Sequence, residues 1–229
     1  MVMPLYTKIM GTNNIKIKAK KIISILEKQY PNAKTELTYD AKFPYQLVVA
    51  VMLSAQATDV GVNKATPAMF KKYKTPFDFS KATFNDLIQY TKSINFYKAK
   101  TQRIIDNATA LVNNYGGELP KSIDKLIKLP GIGRKSANVI LQELFNINEG
   151  IVVDTHMLRV SKRLGLQNCS KPKDAVKVEQ DLLLVIPKNK YSSFSRRMVL
   201  LGRYICKAKK PNCADCPLNK ICDSAFKLS

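Results

Sequence analysis

Residues Leu129 to Ala137 read LPGIGRKSA. A turn between two helices commonly needs one glycine, just past the end of the first helix. This stretch has two, with Ile132 between them and Arg134 and Lys135 directly behind. Pro130 closes the preceding helix, because the residue before a proline is pushed out of the α region. Gly131 and Gly133 can take positive φ and carry no Cβ, so successive backbone N–H groups can face an anion at close range. The next residues, Ala137, Ile140, Leu141, Leu144 and Phe145, have the spacing of one helix face. The N-terminus of that helix adds partial positive charge at the same point. Helix, LPGIG, helix is therefore a helix–hairpin–helix, built to hold a phosphate backbone without reading bases. An ordinary turn between helices would account for one glycine, but not for the second or for the paired cations.

Working outward, the periodicity is helical nearly throughout. Ile15, Ala19, Ile22, Leu26 and Tyr30 form one stripe that stops at Pro31. Residues 44 to 57, PYQLVVAVMLSAQA, are apolar almost all round, and their length favours a buried helix over a buried strand. Thr83 and Asp86 have capping-box spacing for a helix through FNDLIQYTKSI. Ile104, Ile105, Ala108, Leu111 and Val112 share a face that Gly116 and Gly117 terminate. A further helix is expected from Pro120 to Leu129. Asp154 can cap a helix bearing Met157, Leu158 and Leu164 that Gly165 stops. Two more helices fit residues 174–186 and 191–206. Only GIVVDT, at 150–155, suggests extended backbone, and six residues cannot build a sheet. The fold class is all-α, with no long linker, repeat or low-complexity segment.

Composition points to the same kind of partner as the hairpin. Across 229 residues, 38 Lys and Arg stand against 17 Asp and Glu, a formal net charge of +21 with a pI near 9.8. Such an excess favours a polyanion, nucleic acid ahead of an anionic membrane surface. No apolar run is long enough to span a bilayer. The opening MVMPLYTKIM lacks the apolar core of a signal peptide, so a cytoplasmic protein is expected.

Lys135 falls in the first turn of its helix, where a cation is disfavoured. Most lysines in such positions are solvated surface residues. The same place suits chemistry that wants a neutral amine, since a helix N-terminus, a neighbouring guanidinium and partial burial all favour the uncharged form. A neutral amine can attack a sugar C1′ and form a Schiff base.

Four of the five cysteines crowd the C-terminal end as C-x6-C-x2-C-x5-C: Cys206, Cys213, Cys216 and Cys222. An odd total and this crowding favour a metal centre over disulfides. Structural zinc more often uses two C-x2-C pairs, whereas here only Cys213 and Cys216 are so paired. The longer loops suit a bulkier [4Fe–4S] centre, with zinc the alternative. Between the first two cysteines lies KAKKPN, whose Lys207, Lys209 and Lys210 are placed to meet phosphates. Cys169 stands apart and reads as an ordinary thiol. The single histidine, His156, excludes sites that need several imidazoles.

LPGIGRKSA, then VVDTHMLRVSKRLGL, then the cysteine pattern, in that order and preceded by LSAQATDVGVNKAT at 53–66, resembles the endonuclease III family of DNA repair glycosylases. The family belongs to the helix–hairpin–helix superfamily with a Gly/Pro-rich loop and a following aspartate. The resemblance covers most of the chain from about residue 35. It implies two all-α lobes with a DNA cleft between them. One is a six-helix barrel carrying the hairpin, over residues 36–148. The other is a discontinuous domain of residues 1–35 and 149–229 that carries the cluster, and the resemblance decides the metal as [4Fe–4S].

It further implies a bifunctional enzyme, a monomer acting on double-stranded DNA that holds a damaged base or an abasic site. Such an enzyme removes oxidised or ring-saturated pyrimidines and then nicks the strand by β-elimination. Lys135 matches the family's nucleophile and Asp154 its catalytic carboxylate, which otherwise reads as a plain N-cap. Gln56 matches a glutamine that fills the gap left by an everted base; otherwise it is an amide on a helix surface. Phe96 falls where the family places an apolar wedge, but Asn95 replaces the usual glycine beside it. Two other readings compete. The related adenine glycosylases are monofunctional and lack a lysine at position 135. In a non-catalytic DNA-binding module, the pairing of Lys135 with Asp154 would have no purpose.

Overall fold

The computed structural model describes residues 5–167 and 174–227, with side chains from residue 13 onward; Cys169 lies outside the described residues. Among the described residues there are helices and turns but no strand, and no helix is long and apolar enough to cross a membrane. The chain divides into two compact units, Thr35–Glu149 and the pair Met1–Lys34 with Gly150–Ser229.

The continuous unit follows the discontinuous unit's first helix, α1 (Leu5–Gln29). It contains α2 (Tyr45–Ser54), α3 (Asp59–Lys72), α4 (Pro76–Ser80), α5 (Phe84–Thr91), α6 (Tyr97–Tyr115), α7 (Ile123–Leu126) and α8 (Arg134–Phe145). The apolar run of α2 makes it the central element: every residue from Tyr45 to Leu53 is buried, and it packs against α3, α6 and α8. Around it lie Phe79, Leu87, Ile104, Leu111, Leu126 and Ile140, each essentially inaccessible. Each such side chain contributes about 1.5–3 kcal/mol by leaving water. Tyr45, Phe79, Tyr73 and Tyr90 form a chain of ring contacts with centroids 5.3 to 6.4 Å apart.

The helix starts are set by side chains. Thr83 accepts the N–H of Asp86 while the Asp86 carboxylate accepts that of Thr83, a complete capping box, and Thr75 with Asp78 repeats it at α4. Thr58 caps α3, which tolerates Pro67 in its interior. That proline and the shortness of α4 hide both elements from a periodicity reading. The expected helix to residue 57 stops at Ser54, because the chain turns sharply at Gln56. The helix expected over 120–129 is a single turn, since Ser122 caps α7 late and Pro130 follows closely. The helix begun at Thr83 likewise ends early, at Thr91.

The discontinuous unit joins α1 to α9 (Thr155–Arg163), α10 (Ala175–Leu183) and α11 (Tyr191–Tyr204). Its core is Ala19, Ile22, Leu26, Met157, Val160, Val178, Leu182, Phe194, Met198, Leu201 and Leu218. The α9 and α11 helices cross closely enough that a Cβ on Gly202 would stand 2.8 Å from that of His156. Residues 151–153 lie outside any helix but are buried, and Ser195 Oγ on α11 accepts the N–H of Val152 at 3.1 Å. Arg197 Nε donates to the Tyr30 carbonyl at 3.0 Å and ties the end of α1 to α11.

Candidate nucleic-acid interface and cysteine centre

In the hairpin, Leu129 and Ile132 are buried while Gly131 and Gly133 face outward. The apolar residues anchor the turn and the glycines present its backbone. Asn107, fully buried on α6, receives the hydroxyl of Tyr45 at 2.9 Å and donates to the Pro130 carbonyl at 2.7 Å. Sequence reading missed this strut, although an asparagine on the otherwise apolar Ile104–Leu111 face was a usable signal.

The two glycines differ. Gly131 has φ +79°, and a Cβ there would meet Met52 Cε at 2.6 Å. Gly133 has φ −94°, which corrects the expectation of positive φ at both, and a Cβ there would meet nothing within 4 Å. Gly133 caps α8 without any side-chain bond to the first-turn amides. Lys135 is the second residue of α8 and is exposed. Arg134 beside it is exposed as well.

Gln56 lies past the end of α2 at φ +55°, not on a helix surface, and is exposed. Phe96 caps α6 at φ +59° and is 66% exposed, a large apolar ring in water. Asn95 Nδ2 donates to the Gln56 carbonyl at 3.0 Å. Lys100, 5% exposed, donates from Nζ to the carbonyls of Leu53 at 2.8 Å and Ala55 at 2.6 Å, and burial pushes its pKa down. The sequence signal for Lys100 was a lysine on the buried face of α6. In the other unit, half-buried Asp154 caps α9, its Oδ1 accepting the N–H of Met157 at 2.8 Å.

Cys206, Cys213, Cys216 and Cys222 line one small pocket, together with Arg163, Ile205 and Asn212. All four thiols are free and half-buried. Burial pushes Cys216 and Cys222 up from the ordinary thiol range, and the neighbouring thiolates push them further. Among the described residues no group of His, Cys, Asp or Glu is arranged to hold a metal ion directly. Four thiols lining one pocket are the donor set that a metal centre needs.

Two donors support that reading. Arg163 Nη1 stands 3.3 Å from Cys206 Sγ, and the Tyr30 hydroxyl, whose pKa is raised by burial and then by Cys216, is buried with no hydrogen-bond partner. Arg163 also donates to the carbonyls of Lys207 at 2.7 Å and Ala208 at 3.0 Å. Neither Arg163 nor Tyr30 carried a sequence signal. Lys207, Lys209 and Lys210 are all exposed.

This all-helical chain with its glycine hairpin belongs to the HhH-GPD superfamily of base excision DNA repair proteins, whose sequence profile matches residues 49–188. It is 44% identical to Endonuclease III of Bacillus subtilis (strain 168) over 193 residues, 84% of this chain and 86% of that one. It is 43% identical to Endonuclease III of Rickettsia conorii (strain ATCC VR-613 / Malish 7) over 208 residues, 91% of this chain and 96% of the other. Among solved structures it resembles a trapped Endonuclease III–DNA covalent intermediate, an estranged-adenine complex. The TM-score there is 0.85 at 40% identity, covering 93% of this chain and 97% of that one.

Proposed function

We propose that this chain is a base excision repair enzyme, a DNA N-glycosylase for oxidised or ring-saturated pyrimidines and a lyase for abasic sites. Its partner is double-stranded DNA, and a cytoplasmic place on the nucleoid of a prokaryotic-type cell goes with that partner. The observation that carries the reading is an exposed primary amine, Lys135, at the second position of α8, the helix that follows the glycine turn and whose N-cap Gly133 offers no side-chain acceptor. Uncapped amides and the helix dipole favour a phosphate there, and the amine stands beside it.

The target nucleotide must leave the stack before its C1′ can be reached. Exposed Phe96 and Gln56 are suited to enter the space it leaves, one as a wedge and one as an amide partner for the remaining base. The Lys135 amine attacks C1′; the C1′–N bond breaks and the base departs with that electron pair, taking a proton from water. The Asp154 carboxylate balances the positive charge that develops on the sugar and takes a proton from the attacking amine. As the C1′–O4′ bond breaks, O4′ takes the proton held by Asp154 and the nitrogen lone pair forms C1′=N, leaving a protonated Schiff base that keeps the nitrogen's second proton. This acidifies C2′–H, and loss of that proton expels the 3′ phosphate oxygen by β-elimination. Cys206, Cys213, Cys216 and Cys222 would hold a [4Fe–4S] cluster. When bound, it supplies a fixed cross-link for the loop bearing Lys207, Lys209 and Lys210.

The test is incubation with duplexes carrying thymine glycol, 8-oxoguanine or an abasic site, scored for base release, nicking and borohydride trapping. Trapping by wild type and none by Lys135→Ala, with binding retained, is expected. Undiminished trapping by Lys135→Ala would overturn the assignment of that residue.

A further inference from the structure

Gln56 and Phe96 are two of the five non-glycine residues with positive φ among those described. Side chains with a Cβ seldom adopt that conformation, so contacts outside each turn must maintain it. Here the two turns maintain each other. Lys100 Nζ takes the carbonyls of Leu53 and Ala55, including one that α2 leaves without an intrahelical partner. One step further out, Asn95 Nδ2 takes the carbonyl of Gln56 itself. Carbonyls at 53, 55 and 56 thus accept from residues 95 and 100, and the outermost bond joins the two exposed tips. Lys100 is buried and belongs to the frame. Asn95 is exposed, and its bond lies between the neighbour of Phe96 and the backbone of Gln56.

The geometry points to Asn95 as a positioning residue, its side-chain amide fixing the separation of Gln56 and Phe96 so that they enter the duplex as a matched pair. This rests on the proposed function, in which both residues occupy the space around an everted nucleotide. Asn95 touches neither the reacting sugar nor Lys135 in this role; it acts through the two residues it joins. An exposed neutral hydrogen bond adds little to folding, so its loss should be felt in DNA distortion rather than in stability.

The experiment uses the full chain and first establishes that wild type nicks and traps on an abasic duplex. Asn95→Ala and Asn95→Gly both remove the donor, and both should slow single-turnover release of thymine glycol by about five-fold or more. Their thermal midpoints should stay within about 2 °C of wild type. A 2-aminopurine opposite the abasic site should report less disturbance of its stacking with either variant than with wild type. Combined with Phe96→Ala or Gln56→Ala, the loss from Asn95→Ala should largely disappear, because there is no longer a pair to hold. Rates equal to wild type for the single variants, or an undiminished loss in both double variants, would overturn the inference while leaving the proposed function intact. A wild-type chain that neither nicks nor traps would overturn both.

Discussion

Asp154 Oδ1 accepts the backbone N–H of Met157 at 2.8 Å, so the carboxylate proposed to face the sugar is also the N-cap of α9. The two roles make different demands. A cap needs only an acceptor oxygen, which asparagine supplies as well as aspartate. Balancing charge on the sugar needs the anion. Asp154→Asn should therefore keep its thermal midpoint while base release in single turnover slows by about 10²-fold or more. Asp154→Ala should lose the same rate and also about 1 kcal/mol of stability. If the asparagine variant cuts at nearly the wild-type rate, the residue is a cap and nothing more.

The hairpin glycines separate in the same way. Gly131 sits at φ +79° with Met52 against it, so Gly131→Ala should destabilise the fold by about 1–3 kcal/mol in denaturant titration. Gly133 has ordinary φ and open space where a Cβ would go. Gly133→Ala should fold as well as wild type yet bind duplex DNA more weakly, because the added methyl holds a phosphate away from the first-turn amides of α8. Equal DNA affinity for Gly133→Ala and wild type would remove the hairpin from the interface.

Much of this was legible in the sequence because the signals are local. The Thr83–Asp86 capping box, the Gly116 terminator and the Ala137–Phe145 face each depend on residues a few positions apart, and each is present in the structure. Gln56 was legible by resemblance, but not its left-handed turn, since a helix end inside PYQLVVAVMLSAQA has no glycine or proline to mark it. Arg163 was not legible at all. Its partners, Cys206, Lys207 and Ala208, lie more than forty positions away, and nothing in VSKRLGL distinguishes that arginine from a solvated one. The bond from Asn95 to Gln56, 39 positions apart, was hidden for the same reason.

The cysteine centre makes a compositional prediction. Protein purified without oxygen from iron-replete cells should be yellow-brown and carry about four irons per chain, with negligible zinc, as the proposed [4Fe–4S] cluster requires. Cys216→Ser should lose the iron and the colour, and lose stability with them, since binding energy here is folding energy. Stoichiometric zinc in the wild-type protein would contradict the cluster.

The loop between Cys206 and Cys213 is held more firmly than its two cysteines alone would manage. Asn212 N–H donates to the Ile205 carbonyl at 3.0 Å and closes its base, while Arg163 grips the carbonyls of Lys207 and Ala208. Lys210 adds a left-handed residue at φ +48°. Three exposed lysines confined in this way repel one another, an arrangement that gains nothing without an anionic partner. If they meet phosphates, each contact releases condensed counterions, and log K falls with log salt by about 0.9 per contact. Replacing Lys209 and Lys210 by alanine should weaken binding to damaged and undamaged duplexes alike and flatten the salt slope by about one to two units. Single-turnover base release at saturating enzyme should change little, because the lost contacts position the duplex and take no part in the bond changes at the sugar. Binding titrated across a salt series for both proteins makes the comparison. An unchanged slope would mean that the loop serves the cysteine centre alone and touches no phosphate.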